Sequence, residues 1–261
     1  MLTQNYIDRF GGVGRLYGIE ALTQFSKSHV MIIGLGGVGS WTVECLARSG
    51  VGQLTLVDLD DICVTNTNRQ LPATTGNYGK MKAEALRSRV VEINPECLVK
   101  ANLAFYSERN SEELLSSKPT LVIDAIDSVK AKCHLLATCC DLNLKTISCG
   151  GAGGRMDTTK IKVSDLAFCE GDKLASSVRR ILRKDYGFPS GEGKKKRKFK
   201  IPTVYSNEEM IQPKQCETAP KSRNLNCATG YGAVSHITAT FGNVMAQLAL
   251  QHIAESITPQ G

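Results

Sequence analysis

Apolar positions along this chain switch repeatedly between two spacings, and the switching predicts strands alternating with helices. Residues 29–34 form a short apolar run of strand length, and Val38, Trp41, Cys45 and Leu46 follow it at helical spacing. Residues 53–58 form a second strand-like run. Ala83, Leu86, Val90 and Ile93 then mark one face of a helix that Asn94-Pro95 ends. Residues 97–101 and 120–124 read as third and fourth strands. Val129, Cys133, Leu136 and Cys140 stripe the helix after them, and 145–149 is a fifth strand.

The turn Gly150-Gly151-Ala152-Gly153-Gly154 then punctuates the chain. A strand is expected at 160–163 and a helix at 174–184. Residues 187–226, with Pro189, Pro202, Pro213 and Pro220, read as one long mobile loop. Val234, Ile237, Phe241, Val244 and Leu248 predict a last helix over 234–253. The expected fold class is α/β: a Rossmann-like, largely parallel sheet flanked by helices, with a basic C-terminal extension packing on it. Residues 1–155 are expected to form a nucleotide-binding core. Residues 156–261 are expected to continue the same domain with the basic helix, the loop and the last helix.

Composition narrows the setting. The 261 residues need no disulfide staples to build a core. No apolar run reaches the ~18–20 residues that span a membrane. Residues 1–6 lack the basic and apolar regions of a signal peptide. The ten cysteines fall on strands and helices, so reduced thiols and a cytoplasmic location are expected. No Cys-x-x-Cys occurs, and Cys216 and Cys227 have ten residues between them, so no zinc is expected. Net charge is +7, and the basicity is local. Eleven Lys and Arg against Asp185 and Glu192 lie between Lys173 and Lys200, which leaves about −2 for the rest of the chain.

The candidate chemistry lies between Gly34 and Lys82. In the loop Gly34-Leu35-Gly36-Gly37-Val38-Gly39, Gly34 permits a sharp turn, Gly36 and Gly37 permit close approach of a ligand, and Gly39 permits close helix–strand packing. The helix that follows offers free amides to an anion. Such a loop serves NAD, FAD, S-adenosylmethionine and ATP alike. Asp58 ends the second strand, the position of an acid that holds ribose hydroxyls. Asp60 and Asp61 exceed what a dinucleotide needs and suit a phosphate or magnesium site. Asn66, Asn68, Arg69 and Gln70 form a polar cluster in which Arg69 can grip phosphate oxygens in two-point fashion. Lys82 opens a helix and can place a point charge on a triphosphate. Asp124 and Asp127 follow the fourth strand at the ligand-binding edge, and either suits magnesium. Asp127 also stands where a helix from Ser128 would take its N-cap.

Taken together, Gly-x-Gly-Gly-Val-Gly-Ser, Asp-x-Asp, Asn-x-Asn-Arg-Gln, the helix-opening Lys-Ala and the acid after the fourth strand resemble the ubiquitin-activating-enzyme superfamily over residues ~5–155. The resemblance implies adenylation of a carboxylate by ATP and magnesium, with release of pyrophosphate. It implies that Asp58 holds the ribose and that Asn66, Arg69 and Lys82 hold the phosphates. Asp127 would ligate magnesium, and Arg69 and Lys82 would neutralise charge at the α-phosphate. It also implies a homodimer in which an amino-terminal arginine, Arg15 in preference to Arg9, reaches the partner's triphosphate.

The second half, with its Gly150–Asp157 run, basic helix and Asn226-Cys227-Ala228-Thr229-Gly230-Tyr231-Gly232, is similar to the tRNA threonylcarbamoyladenosine dehydratase branch. That branch activates the threonyl carboxylate of a modified adenosine in the tRNA anticodon loop and cyclises it with loss of AMP. Arg179, Arg180, Arg183 and Lys184 on the helix would meet tRNA, as would Lys194, Lys195, Lys196, Arg197 and Lys198 on the loop. Cys227 is a candidate nucleophile or a small buried hydrophobe. A monovalent cation near the glycine turns and a sulfur-pathway protein partner stay open. The competing readings are an adenylyltransferase for a sulfur-carrier protein, a non-catalytic nucleotide-gated RNA-binding module and an NAD oxidoreductase.

Overall fold

A computed structural model describes residues 1–190, 197–212 and 231–256. Its centre is a seven-stranded sheet of order β3-β2-β1-β4-β5-β7-β6. The strands are β1 (His29–Ile33), β2 (Gln53–Val57), β3 (Leu98–Asn102), β4 (Leu121–Asp124), β5 (Thr146–Cys149), β6 (Ile161–Asp165) and β7 (Pro202–Ser206). All neighbours run parallel except β6, which pairs antiparallel with β7. Both faces of a parallel sheet are covered by crossover helices, so β1 is buried at every position. The register sets Ile33 beside Val57 on β2 and beside Asp124 on β4. Gly34, Asp58 and Ala125 therefore leave the sheet side by side at one carboxyl edge.

The helices are α1 (Gln4–Tyr17), α2 (Ile19–Lys27), α3 (Gly37–Arg48), α4 (Lys82–Ile93), α5 (Ser111–Leu115), α6 (Val129–Asp141), α7 (Lys173–Asp185) and α8 (Ser235–Glu255). One face of the sheet, through Val30, Ile32, Leu54, Leu56, Leu121 and Ile123, packs on Leu46, Leu86, Phe241 and Met245. The other face packs Met31, Ile33, Val57 and Val122 on Leu115, Leu135 and Cys139. A separate apolar cluster joins Leu136, Val178, Leu182, Ile201 and Tyr205, and it seats the basic helix α7 against α6.

The expected loop 187–226 is corrected by β7. Phe199, Ile201 and Val204 are buried, and Ser148 and Cys149 pair with Thr203 and Val204. Pro202 opens the strand, so its missing N–H spoils no interior pairing. The prolines and the lysine run hid a strand of five residues. Helices α1 and α2 were also illegible as helices: α1 carries three glycines, each about 1 kcal/mol poorer than alanine in a helix. It is held by the Thr3 cap on the Tyr6 amide and by buried Tyr6 and Phe10.

Candidate functional site

The glycine loop is built by backbone necessity. Gly34 has φ +91°, and a Cβ there would lie 2.7 Å from the Ala125 carbonyl oxygen. A Cβ on Gly39 would overlap the Gly34 carbonyl. Gly36 is different: a Cβ would meet nothing within 4 Å, so its bareness leaves open space at the N-cap of α3. The first amides of α3 have no intrahelical acceptors and face that space as an anion site.

Asp58 is buried and fixes the loop: Oδ2 accepts from the Leu35 amide at 2.6 Å and Oδ1 from the Asp60 amide at 2.8 Å. Asp60 then pairs with Lys82 at 2.6 Å, and the Lys82 amide donates to the Asp60 carbonyl at 3.0 Å. These two contacts bring the start of α4 to the end of β2.

Asn66 is buried and accepts from the Cys63 amide at 3.0 Å, which closes the single helical turn Val64–Asn66. That turn aims Arg69, whose Nη1 donates to the Thr65 carbonyl and to Asn68 Oδ1 at 2.8 and 2.9 Å. The Arg69 stem lies against Gly37, 3.5 Å from where a Cβ would sit, so the guanidinium stands at the α3 amino terminus. Gln70 is buried, and its Oε1 has no partner among the described residues. Asn77 and Lys80, bonded at 3.1 Å, close the loop before α4.

Sequence reading missed the support beneath Arg69. Its carbonyl accepts from Trp41 Nε1 at 3.2 Å and Thr238 Oγ1 at 3.1 Å, and Asn68 Nδ2 donates to the Ala233 carbonyl at 2.7 Å. The last helix thus buttresses the phosphate-binding segment from 169 residues away in sequence. The only local signal was a polar Thr238 on an otherwise apolar stripe.

The two acids at the end of β4 and in the turn after it separate cleanly. Asp124 is fully buried, with Oδ2 accepting from Lys132 Nζ and Ser148 Oγ, each at 2.6 Å, so it is not the free carboxylate expected of a metal ligand. Burial opposes charge on Lys132, yet the Asp124 carboxylate outweighs it and holds the ammonium above its ordinary pKa. Burial likewise pushes the Cys149 thiol up to about 12, so it stays protonated beside this pair. Asp127 is exposed and makes no hydrogen bond among the described residues. Nor does it cap α6: Ser128 occupies the N-cap and makes no side-chain cap bond.

No cluster of three or more His, Cys, Asp or Glu side chains that could hold a metal occurs among the described residues. Asp127, exposed and without a hydrogen bond among the described residues, is a carboxylate free to meet magnesium, which takes one or two carboxylates and completes its shell with phosphate and water. Arg15 is exposed on the last turn of α1 and makes no hydrogen bond or ion pair among the described residues. Arg9 is spent on Asn5 and the Ile93 carbonyl, both at 3.3 Å.

The basic helix opens a depression of about 390 Å³ lined by Ser176, Arg179, Arg180, Arg183 and Lys184. Its arginines are not equally free. Arg179 donates to the Leu166 and Cys169 carbonyls, which spends part of its guanidinium on the fold. Arg183 donates to the Pro189 carbonyl at 3.1 Å and lies 5.3 Å over the Phe199 ring. Arg180, Lys184, Arg197 and Lys198 are exposed. Lys194, Lys195, Lys196 and Cys227 lie outside the described residues.

A family model described as the ThiF family matches residues 13–260. The chain belongs to the ThiF family. It is 50% identical over 238 residues to the tRNA threonylcarbamoyladenosine dehydratase of Haemophilus influenzae, covering 91% of this chain and 90% of the relative. The solved E. coli tRNA N6-threonylcarbamoyladenosine dehydratase in complex with ATP matches with TM-score 0.90, 40% identity and full coverage of both chains. The same E. coli enzyme with AMP matches with TM-score 0.88 and 40% identity over 98% of each chain.

Proposed function

We propose that this chain is an ATP-dependent tRNA threonylcarbamoyladenosine dehydratase. The observation that carries the reading is one edge of the sheet where the open Gly36 turn, Asp58, the Arg69 guanidinium and the turn ending in Asp127 converge, on a chain that also carries an arginine-lined depression. ATP and AMP, bound by the similar E. coli enzyme, are the nucleotide expected before and after adenylation.

The residues divide the work. Asp58 takes the ribose, and the α3 amides with Asn66, Arg69, Gln70 and Lys82 take the phosphates. The threonyl carboxylate attacks the α-phosphorus and pyrophosphate leaves, while Arg69 and Lys82 stabilise charge that grows on the phosphate oxygens. A nucleophile within the same modified base then attacks the acyl carbon and expels AMP, which closes the ring with net loss of water. Asp127 would hold magnesium, whose bound charge would offset that of the triphosphate. Asp60 orients Lys82 between turnovers.

Arg180, Arg183 and Lys184 would meet the tRNA backbone, with Arg197 and Lys198 beside them. The exposed, uncommitted Arg15 suits a homodimer in which it reaches the partner's ATP. The eight cysteines among the described residues are all outside disulfides, in keeping with a reducing cytoplasm. Incubation with ATP, magnesium and modified or unmodified tRNA tests the reading. AMP must form only with the modified tRNA; AMP formed with a sulfur-carrier protein and no tRNA would overturn it in favour of a carrier adenylyltransferase. Salt-sensitive tRNA binding with no AMP would leave a binding module instead.

A further inference from the structure

We propose that Lys132 and Ser148 are positioning residues for adenylation, acting through Asp124 to fix the turn Ala125-Ile126-Asp127 against the glycine loop. The proposal rests on the reading of Asp127 as the acid that serves the phosphate site.

Three polar side chains meet in a space that water does not reach. Asp124 and Ser148 are fully buried and Lys132 is 1% exposed. One carboxylate oxygen, Oδ2, takes both the Lys132 ammonium and the Ser148 hydroxyl at 2.6 Å, and Lys132 Nζ lies 3.3 Å from the same hydroxyl. The second oxygen, Oδ1, is thereby turned to the Ile126 amide and accepts it at 3.2 Å. That bond spans two residues and shapes the turn that begins at Ala125.

The turn is also gripped from the glycine side. The Ala125 amide donates to the Ile33 carbonyl at 2.9 Å, and the Ala125 carbonyl occupies the space that a Cβ on Gly34 would need. Asp127 is the next residue but one. Its direction is set by a turn with two anchors, the main chain of β1 and the side chain of Asp124. Lys132 stands on α6 and Ser148 on β5, so the anchor ties three elements to one carboxylate.

Stability does not explain this arrangement. A buried ammonium and carboxylate cost much desolvation, and apolar side chains of similar volume commonly hold a core as well or better. What apolar side chains cannot do is aim a carboxylate oxygen at one amide. The buried charge pair is therefore read as a device that sets a turn, comparable to outer partners that orient metal-binding side chains.

The test compares wild type, Ser148→Ala, Lys132→Met, Lys132→Arg and Asp127→Asn by two independent readouts. The first is backbone amide exchange at Ile126 and Asp127 without ATP. The second is the separation of kcat from KM in ATP–pyrophosphate exchange with modified tRNA. Ser148→Ala should fold with a lowered melt, speed exchange at Ile126 about tenfold, and lower kcat about 10–100-fold with KM for ATP within about threefold. Lys132→Met should exceed it on both readouts, and Lys132→Arg should recover most of the loss. Unchanged Ile126 exchange or unchanged kcat in folded Ser148→Ala overturns the proposal, and so does a change confined to KM. If Lys132→Met does not fold, Ser148→Ala decides alone. Should Asp127→Asn keep full kcat, the role of Asp127 fails, while Ile126 exchange still reports whether the anchor holds the turn.

Discussion

Asp60 Oδ2 and Lys82 Nζ stand 2.6 Å apart, with the lysine side chain 6% exposed and the carboxylate 50% exposed. The pair is thus a shielded cation held by an acid that faces solvent. On the proposed function, ATP phosphates arriving at this edge would meet an ammonium already in place. If Lys82 stabilises the transition-state charge as proposed, Lys82→Met should lower kcat/KM for ATP–pyrophosphate exchange by about 10²–10³-fold. Asp60→Asn should cost about 1–2 kcal/mol in a urea melt, at the low end for a charged partner because the carboxylate is half solvated. Equal activity of Lys82→Met and wild type would remove Lys82 from the site.

The glycines of the loop make separable predictions. Gly39→Ala puts a methyl into the Gly34 carbonyl, and Gly34→Ala is strained by φ +91° and by the Ala125 carbonyl at 2.7 Å. Both should lower the melting temperature and abolish ATP binding together. Gly36→Ala meets nothing within 4 Å, so the fold should melt within about 0.5 kcal/mol of wild type. The added methyl should still weaken ATP about tenfold or more, since it fills the approach to the α3 amides. Calorimetric titration with ATP reads this directly; wild-type affinity in Gly36→Ala would show that the nucleotide does not lie against the turn.

The sequence exposed the parts of this site that are local. The glycine loop, Asp58 and the Arg69 segment could be read because strand, turn and helix follow one another within a few residues. Thr238, Trp41, Lys132 and Ser148 could not, because each contributes through a long-range contact that periodicity does not encode. By residue type alone Asp124 and Asp127 suit magnesium equally, and only the family resemblance favours Asp127; burial and the Lys132 bond now set Asp124 apart. Strand β7 escaped for a related reason. Its five residues become a strand by pairing with β5 and β6, not by any propensity strong enough to outweigh the prolines and lysines around it.

Stability should fall below neutral pH through one buried histidine, His29, and one half-buried histidine, His252. His29 Nε2 shares a 2.8 Å hydrogen bond with Thr55 Oγ1, and burial holds its pKa below the ordinary value. His252 is lowered by burial and by the charge of Lys145. The unfolded chain takes these protons as pH drops through about 6.5, before the folded chain does. Their contribution is therefore complete above that pH and shrinks as pH falls toward the folded values. Urea midpoints at about pH 7.5 and 5.5 should show the loss, and His29→Gln should lose less than wild type over this window. An identical loss in both would exclude His29 as a source.

The arginine-lined depression on α7 predicts how tRNA affinity responds to salt. Each lysine or arginine that neutralises a phosphate releases condensed counterions, so the slope of log affinity against log salt counts contacts. Arg180 and Lys184 are exposed and have no partner in the fold among the described residues, which leaves them free for phosphate. Arg180→Ala and Lys184→Ala should each reduce the slope by about 1 and weaken tRNA binding without changing ATP affinity. Arg179→Ala should behave otherwise. Its bonds to the Leu166 and Cys169 carbonyls brace the turn before α7, so the variant should lose stability as well as tRNA affinity. Filter binding across a salt series, with a urea melt for each variant, separates the two behaviours. Slopes that match wild type in Arg180→Ala and Lys184→Ala would move the RNA surface away from this helix.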